Sequence, residues 1–128
     1  MSDMTQRFEN GNLIIVVGRT PAVTTITWTG ESDSRNPVDF LNPLIAKLAK
    51  ELVGHNVIVD FSELTYMNSA TVAPLINTIK SLDAAAASVL VVFSDMDWQR
   101  THVQCVRTIA RQLKKVKIEV KARAATSG

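Results

Sequence analysis

The chain has 128 residues, of which 46% are hydrophobic and 20% are charged, a balance typical of a globular protein and unlike that of a disordered chain. No apolar run approaches the roughly 18 residues that a bilayer span needs, and residues 1–8 contain no apolar core of a signal peptide. Cys105 is the only cysteine, so no internal disulfide can form. These features predict a cytoplasmic protein with one domain over residues 1–128.

The net charge is only +2, but it is unevenly distributed along the chain. Eight of the fourteen Lys and Arg residues fall between Arg100 and Arg123, where Glu119 is the only acid. This pattern favours a solvated basic face over a binding patch. We therefore predict no nucleic-acid partner.

The first half of the chain predicts two strands and one helix. Residues 1–11 are polar and end in the turn signal Asn10-Gly11. Residues 13–17 and 23–28 are β-branched runs joined by a loop containing Gly and Pro, which predicts an antiparallel pair. Residues 30–36 are predicted to form a loop. Asn36-Pro37 is a helix-start signal and Gly54 a helix-stop signal. The apolar positions of this helix recur every three or four residues at Val38, Leu41, Leu44, Ile45, Leu48 and Leu52.

The second half predicts two helices that alternate with strands. Residues 57–59 and 89–93 are apolar without alternation, as in parallel strands covered on both faces. Residues 62–67 are predicted to be a loop that leads into the second helix. Pro74 favours a helix start near Thr71, because a proline is tolerated in the first turn and disrupts later turns. Asp97 is a candidate cap for the third helix, in which Cys105 is predicted to be a small buried hydrophobe. Residues 116–121 alternate as an edge strand does, and residues 122–128 are predicted to be frayed.

The element order is therefore β-β-α-β-α-β-α-β. Strands joined by a helical crossover are expected to run parallel, whereas the opening hairpin is antiparallel. The sequence predicts a single α/β domain with a mixed central sheet and helices packed on it. Its core is expected over about residues 12–121, with flexible termini.

Metal and catalytic chemistry find little support in the sequence. His55 and His102 are far apart and neither lies in a cluster with ligand spacing, so no metal site is predicted. The five glycines are scattered, and no glycine-rich phosphate loop is present. Ser69 has no base nearby in the sequence and no flanking nucleophile-elbow glycines. We expect no enzyme activity and no cofactor.

One alternative places chemistry on acidic residues that follow the buried strands. Asp60, Asp95 and Asp97 lie where the carboxyl ends of parallel strands meet, the edge at which α/β folds bind ligands. They could hold Mg²⁺ around a phospho-accepting Asp60, as in response-regulator receivers. That family also has a pair of acids after its first strand, where this chain has Gly18-Arg19. Loop capping is the simpler role for these carboxylates.

The junction between residues 56 and 75 is the most informative stretch. A buried strand ends at Asp60, a polar loop follows, and Asn68, Ser69 and Thr71 come just before an apolar helix. A helix N-terminus presents unpaired N–H groups and the positive end of the helix dipole, which favour a negative charge. The three polar residues are either simple caps or part of a site that receives an anion.

This junction resembles that of the STAS family, the anti-sigma factor antagonists. The family often carries Gly-Glu-Leu-Asp after its early strands, and this chain has Gly30-Glu31-Ser32-Asp33. The family then has a buried strand ending in Asp, followed by a short loop and Asp-Ser-Ser-Gly-Leu before an apolar helix. Here that last motif reads Asn68-Ser69-Ala70-Thr71-Val72. The resemblance covers about residues 12–121.

The resemblance implies a regulatory protein that is a substrate of a kinase and has no activity of its own. Ser69 falls at the position that a partner anti-sigma factor with serine kinase activity phosphorylates, and a phosphatase restores the free form. Thr71 is a second possible acceptor. The expected docking surface comprises Asn68, Ser69, Ala70 and Thr71 together with Glu31 and Asp33. The alternative is a non-phosphorylated STAS subunit of a larger assembly, such as a lipid transporter or a stressosome-like scaffold.

Overall fold

The structure is a computed structural model that describes residues 4–121, apart from the side chains at positions 4, 97, 98, 100 and 101. Within that range the chain forms seven strands and three helices. The strands are β1 (Met4–Asn10), β2 (Leu13–Arg19), β3 (Thr24–Ser32), β4 (Asn56–Asp60), β5 (Leu64–Met67), β6 (Ser88–Ser94) and β7 (Val116–Lys121). The helices are α1 (Pro37–Glu51), α2 (Val72–Ala85) and α3 (Asp97–Ala110).

The strands form one mixed sheet in the order β1-β2-β3-β4-β6-β7, with β5 paired to the end of β3. β2 is antiparallel to both of its neighbours, β1 and β3, whereas β3, β4, β6 and β7 run parallel. The predicted α/β class and mixed sheet are therefore confirmed. Antiparallel neighbours need only a tight turn, and each parallel step uses one helix as its crossover.

Three stretches predicted as irregular are in fact extended. Residues 4–10 form β1, which pairs with β2 along its whole length. This edge strand is polar because only one of its faces meets the core. Among its described side chains, Phe8 packs against the core cluster. Residues 64–67 form β5, which is anchored by the buried Leu64 and Met67. The strand β3 also continues through Ser32, past a register shift between Gly30 and Glu31.

The helix boundaries follow the local signals closely. Pro37 opens α1 as predicted, although the Asn36 side chain makes no capping hydrogen bond. α3 begins at Asp97 with Met96 as its N-cap, so Asp97 is a helical residue and not the cap. Two burial predictions are wrong: Val38 is 40% exposed and Cys105 is exposed. Val38 lies in the first turn of α1, before the helix reaches the core, and Cys105 lies on the outward side of α3.

All three helices pack against the same face of the sheet, which we call the core face. The crossovers run from β3 to β4, then to β6, then to β7, and so always advance in one direction across the sheet. Right-handed crossovers in one direction place every helix on one side. The core cluster accordingly combines alternate strand residues with helix residues, among them Ile15, Val17, Ile26, Val59, Val91, Leu48, Leu82 and Val106. Each such side chain contributes about 1.5–3 kcal/mol by its burial.

Aromatic rings and one glutamine fix the carboxyl end of the parallel strands. Phe61 packs edge-on to Trp28 with ring centroids 5.0 Å apart and stacks on Phe93 at 5.4 Å. Gln99 of α3 is fully buried. Its Nε2 donates to the carbonyl oxygens of Phe61 and Leu64 at 3.0 and 2.9 Å, and its Oε1 accepts from the Ser94 N–H at 2.7 Å. These bonds fix the segment that leads into β5.

Candidate functional site

The polar stretch that the sequence singles out lies between β5 and α2. Asn68 is the N-cap of a one-turn 3₁₀ helix, Ser69–Thr71, that continues directly into α2 at Val72. The regular helix therefore starts where Pro74 predicts, with this proline in the first turn. We call residues Asn68–Thr71 the Ser69 turn.

Below the exposed part of this turn lies a chain of three side-chain hydrogen bonds. Asn68 Oδ1 accepts from the backbone N–H of Thr71 at 3.1 Å and from the Thr71 hydroxyl at 2.7 Å. The Ser32 hydroxyl lies 2.7 Å from the Thr71 hydroxyl. Because the single Thr71 hydroxyl proton goes to the Asn68 carbonyl oxygen, Ser32 is the donor to Thr71. The buried hydroxyls of Ser32 and Thr71 therefore each have a hydrogen-bond partner.

Asn68 also ties the turn to the segment between β3 and α1. Its backbone N–H donates to the Ser32 carbonyl oxygen at 2.9 Å. Its side-chain Nδ2 donates to the Ser34 carbonyl oxygen at 2.8 Å. This second bond requires an amide, since an aspartate oxygen at the same place would face a carbonyl oxygen. The Asn68 side chain thus cross-links two segments that are far apart in sequence.

The predicted site residues differ sharply in accessibility. Ser69 and Ala70 are exposed and Asn68 is half-buried, whereas Thr71 is 0% exposed. Ser69 makes no side-chain hydrogen bond to any residue that the structure describes. The two hydroxyls of the turn therefore have different surroundings: one faces solvent, and the other is buried within a hydrogen-bond chain.

The acidic residues of the predicted docking surface lie next to this turn. Glu31 is opposite Tyr66 in the register of β3 with β5, and the following pair brings Ser32 beside Met67, the residue just before the turn. Glu31 and Asp33 are both exposed. Asp33 Oδ2 accepts from the Asn12 side chain at 3.2 Å. The strand pairing of β5 thus brings the two predicted segments together.

Three residues of this region were not singled out from the sequence. Ser32 and Ser34 complete the hydrogen bonds of the turn, and nothing in their local sequence indicates a partner more than thirty positions away. Tyr66 is 48% exposed beside Glu31. Exposed aromatic rings are enriched at protein interfaces. Its position in a four-residue strand that the sequence did not reveal explains why it was missed.

The carboxylate of Asp60 has a structural role. Its Oδ1 accepts from the Ser62 N–H at 2.8 Å and from the Ser62 hydroxyl at 2.6 Å, and its Oδ2 lies 3.7 Å from the Lys121 ammonium. These contacts shape the loop after β4. Among the described residues no group of three His, Cys, Asp or Glu side chains could hold a metal ion, and the Asp97 side chain lies outside that description.

The resolved pKa shifts belong to other parts of the molecule. The pKa of Glu51 is lowered, chiefly by the hydrogen bond that the Arg19 guanidinium donates to it and also by the charge of Arg19. The pKa of His102 in α3 is lowered by burial, so its neutral form is favoured. Neither group contacts the Ser69 turn in the described hydrogen bonds.

The arrangement defines a class of protein: an α/β domain that presents an exposed serine at the start of a helix, on a preformed turn at one edge of its sheet. The family model of the STAS domain matches residues 15–106, which is more than half of the chain. The chain therefore belongs to the STAS domain family. Members of this family are in general non-enzymatic regulatory domains that act through protein–protein interaction.

A search of curated proteins finds no match to the chain. Within residues 4–121, no helix combines the length and apolarity that crossing a bilayer requires.

Proposed function

We propose that this STAS domain is an anti-sigma factor antagonist-like binding module of the cytoplasm. It docks a partner through the Ser69 turn and the neighbouring acids Glu31 and Asp33. The partner is an anti-sigma factor that uses ATP as a serine kinase. Phosphorylation of Ser69 releases the partner, and a phosphatase restores the unmodified form, so that the chain is a substrate and not an enzyme.

The contrast between Ser69 and Thr71 is the observation that carries this proposal. A kinase must reach the hydroxyl oxygen that it phosphorylates, and Ser69 is exposed at the start of a helix. Thr71 is completely buried, and its hydroxyl both accepts and donates a hydrogen bond. Modification of Thr71 would require the turn to open. The second acceptor that the sequence allowed is therefore disfavoured, and Ser69 remains.

The position of Ser69 also suits a charge that is added and removed. A phosphoserine carries about −1.5 to −2 charges at pH 7. At a helix N-terminus this charge faces unpaired N–H groups and the positive end of the dipole, which stabilise it. Because the Ser69 hydroxyl takes no part in the described hydrogen bonds of the turn, its modification breaks none of them. The modified protein is expected to keep its fold while its docking surface changes.

The test is a phosphorylation assay with the candidate kinase and ATP, followed by the intact mass of the chain. The wild type is expected to gain one phosphate and Ser69→Ala none. Ser88→Ala is the matched control, because Ser88 is also an exposed serine but opens β6 at the opposite end of the sheet. If Ser69→Ala takes up phosphate as readily as the wild type does, Ser69 is not the acceptor.

One observation favours a second function, constitutive docking without a phosphate. Asn68 stands where the family motif has Asp, and its Nδ2 is committed to the Ser34 carbonyl oxygen. The substitution therefore has a structural use in a permanently formed turn, as expected for a subunit of a transporter or a scaffold. Size-exclusion chromatography of co-purified complexes, with and without ATP, separates the two functions. A complex that is indifferent to ATP supports the scaffold.

A further inference from the structure

The strand β7 forms one edge of the sheet, and half of its backbone polar groups face away from β6. Across the β6–β7 pair the Asp95 N–H donates to the Lys121 carbonyl oxygen. In a parallel pair, each residue directs its N–H and C=O groups to the same side, and that side alternates from residue to residue. The outward groups therefore belong to Val116, Ile118 and Val120. Within residues 4–121 no other strand pairs with this side of β7.

A groove between α3 and β7 opens beside this edge. It consists of two adjoining depressions of about 440 and 290 Å³, which share Arg107 and Arg111. Val103 lies on the helix side of the groove, and Ile118 and Val120 lie on the strand side. Val120 is 37% exposed. The groove thus combines apolar walls with two cationic side chains.

The groove lies in the most basic part of the chain. Residues 100–123 contain eight bases and one acid, and Asp95 is the acid at one end of the groove. Arg107 and Arg111 are exposed, and neither makes an ion pair or a side-chain hydrogen bond with any residue that the structure describes. The sequence alone favours a solvated basic face, because the groove exists only once α3 has packed beside β7. A segment that enters this groove is expected to be acidic.

We propose that an acidic, extended segment of a partner protein adds to the sheet as the strand next to β7. Such strand addition uses the outward N–H and C=O groups of an edge strand for affinity and alternate side chains for specificity. The acidic side chains of the segment enter the groove, where their carboxylates pair with Arg107 and Arg111. Their methylene groups pack on Ile118 and Val120. This surface is separate from the Ser69 turn, so the proposal does not rest on the function proposed above.

Charge disfavours a second copy of the chain as the added strand. Pairing of β7 with the β7 of a second copy would place Arg107 and Arg111 of both copies in one joint groove. These four guanidinium groups would repel one another in a partly desolvated interface. Residues 122–128, which follow β7 in the chain, are disfavoured for the same reason, because they contain Arg123 and no acid.

The backbone of the edge also distinguishes a polypeptide from a nucleic acid. The phosphate groups of a nucleic acid accept hydrogen bonds and would satisfy the outward N–H groups of β7. The outward carbonyl oxygens, however, would be left facing a negative charge. An extended peptide offers both a donor and an acceptor at every second residue. The edge therefore fits an acidic peptide better than a nucleic acid.

Fluorescence anisotropy with labelled peptides tests the proposal. The probe consists of four Glu-Val repeats, so that all its glutamates can face the groove. A fully N-methylated version keeps the side chains but has no backbone N–H, and should bind at least about tenfold more weakly. The double variant Arg107→Glu with Arg111→Glu should also weaken binding of the probe at least about tenfold. Lys50→Glu, at an exposed site on α1, is the control and should weaken it less than about twofold.

Several results would overturn the proposal. One is no binding of the probe at millimolar concentration, and another is equal binding by the double arginine variant and the wild type. Equal binding of the N-methylated peptide would show that charge attracts the probe without strand addition. Tighter binding of a short single-stranded DNA would assign the groove to a nucleic acid. A free protein that sediments as a dimer, and that the probe dissociates, would assign the edge to a second copy.

Amide hydrogen exchange followed by NMR locates the bound probe on the wild type itself. The amides of Val116, Ile118 and Val120 face outward and should exchange quickly in the free protein. At a probe concentration of about ten times its Kd they should exchange about tenfold more slowly. The amides of Lys117 and Glu119 are bonded to β6 and should exchange slowly with and without the probe. Outward amides that gain no protection when the probe is saturating would refute strand addition.

Discussion

Replacing Asn68 tests whether its side chain holds the Ser69 turn in place. In Asn68→Ala the N-cap acceptor is lost, which costs about 0.5–2 kcal/mol. The bond to the Ser34 carbonyl oxygen is also lost, a further contribution of about 0.5–1.5 kcal/mol. Thr71 recovers part of this loss, because its hydroxyl can turn toward Ser32 once the amide oxygen is gone. The expected decrease in unfolding free energy is about 2 kcal/mol.

Asn68→Asp separates the two roles of the same side chain. The carboxylate still accepts from Thr71 and gains about 0.3–1 kcal/mol at the helix N-terminus. It can no longer donate to Ser34, and it places a charged oxygen where the amide nitrogen lay 2.8 Å from a carbonyl oxygen. We expect a net loss of about 1 kcal/mol. The order of stability is therefore wild type, then Asn68→Asp, then Asn68→Ala.

Equilibrium unfolding in urea measures these differences. Asn42→Ala is the control, because Asn42 is exposed on α1 and makes only a 3.4 Å contact with Asn77; its change should stay within about 0.5 kcal/mol. An Asn68→Asp variant as stable as the wild type would show that the amide nitrogen contributes nothing. An Asn68→Ala variant that unfolds like the Asn42 control would refute the whole hydrogen-bond account of the turn.

Three further predictions concern other parts of the fold. Gln99→Ala removes the side-chain partner of the Phe61 and Leu64 carbonyl oxygens and of the Ser94 N–H. The Phe61 carbonyl oxygen keeps its bond from the Leu64 N–H, so the variant should cost at least about 2 kcal/mol. Gln104→Ala on the exposed side of α3 should cost less than about 0.5 kcal/mol in the same urea titration. Gly30→Ala places a Cβ 2.1 Å from a backbone oxygen at φ +84° and should lower the thermal midpoint far more than Gly11→Ala, where the space is open. Burial lowers the folded-state pKa of His102, so below about pH 6.5 the unfolded chain binds more protons than the folded chain, and the unfolding free energy decreases as the pH is lowered. His102→Gln should flatten that part of the profile of stability against pH, and an unchanged profile would contradict this prediction.

Local rules predicted the elements of this fold well. Pro74 located the start of α2 because a proline affects only the backbone bonds next to it. The one-direction order of β3, β4, β6 and β7 follows from short crossovers of fixed handedness. The strand β1 was missed because an edge strand with one solvated face needs no apolar run. Its polar sequence looks like that of an irregular terminal segment until its pairing with β2 is known.

The candidate site could be located from the sequence but not its internal geometry. The motif Asn68-Ser69-Ala70-Thr71 contains two hydroxyls, and no local rule says which one is buried. That depends on Ser32, which lies 39 positions before Thr71 and reaches it because β3 continues for two residues past its register shift. Contacts of this kind depend on strand register, which is a property of the assembled sheet.

The geometry of the turn also constrains how a phosphate on Ser69 would release a partner. The neighbouring Glu31 and Asp33 already make the surface acidic, so a partner complementary to it carries positive charge and would attract a phosphate. Simple repulsion is therefore a poor mechanism, and exposed charges are in any case screened beyond about 8 Å at physiological salt. Burying a dianion in a docked interface, by contrast, costs several kcal/mol of desolvation unless it is paired, and about 3 kcal/mol corresponds to roughly a hundredfold in affinity. Release by desolvation predicts that the effect of phosphorylation on affinity persists at high salt, whereas release by repulsion predicts that salt abolishes it.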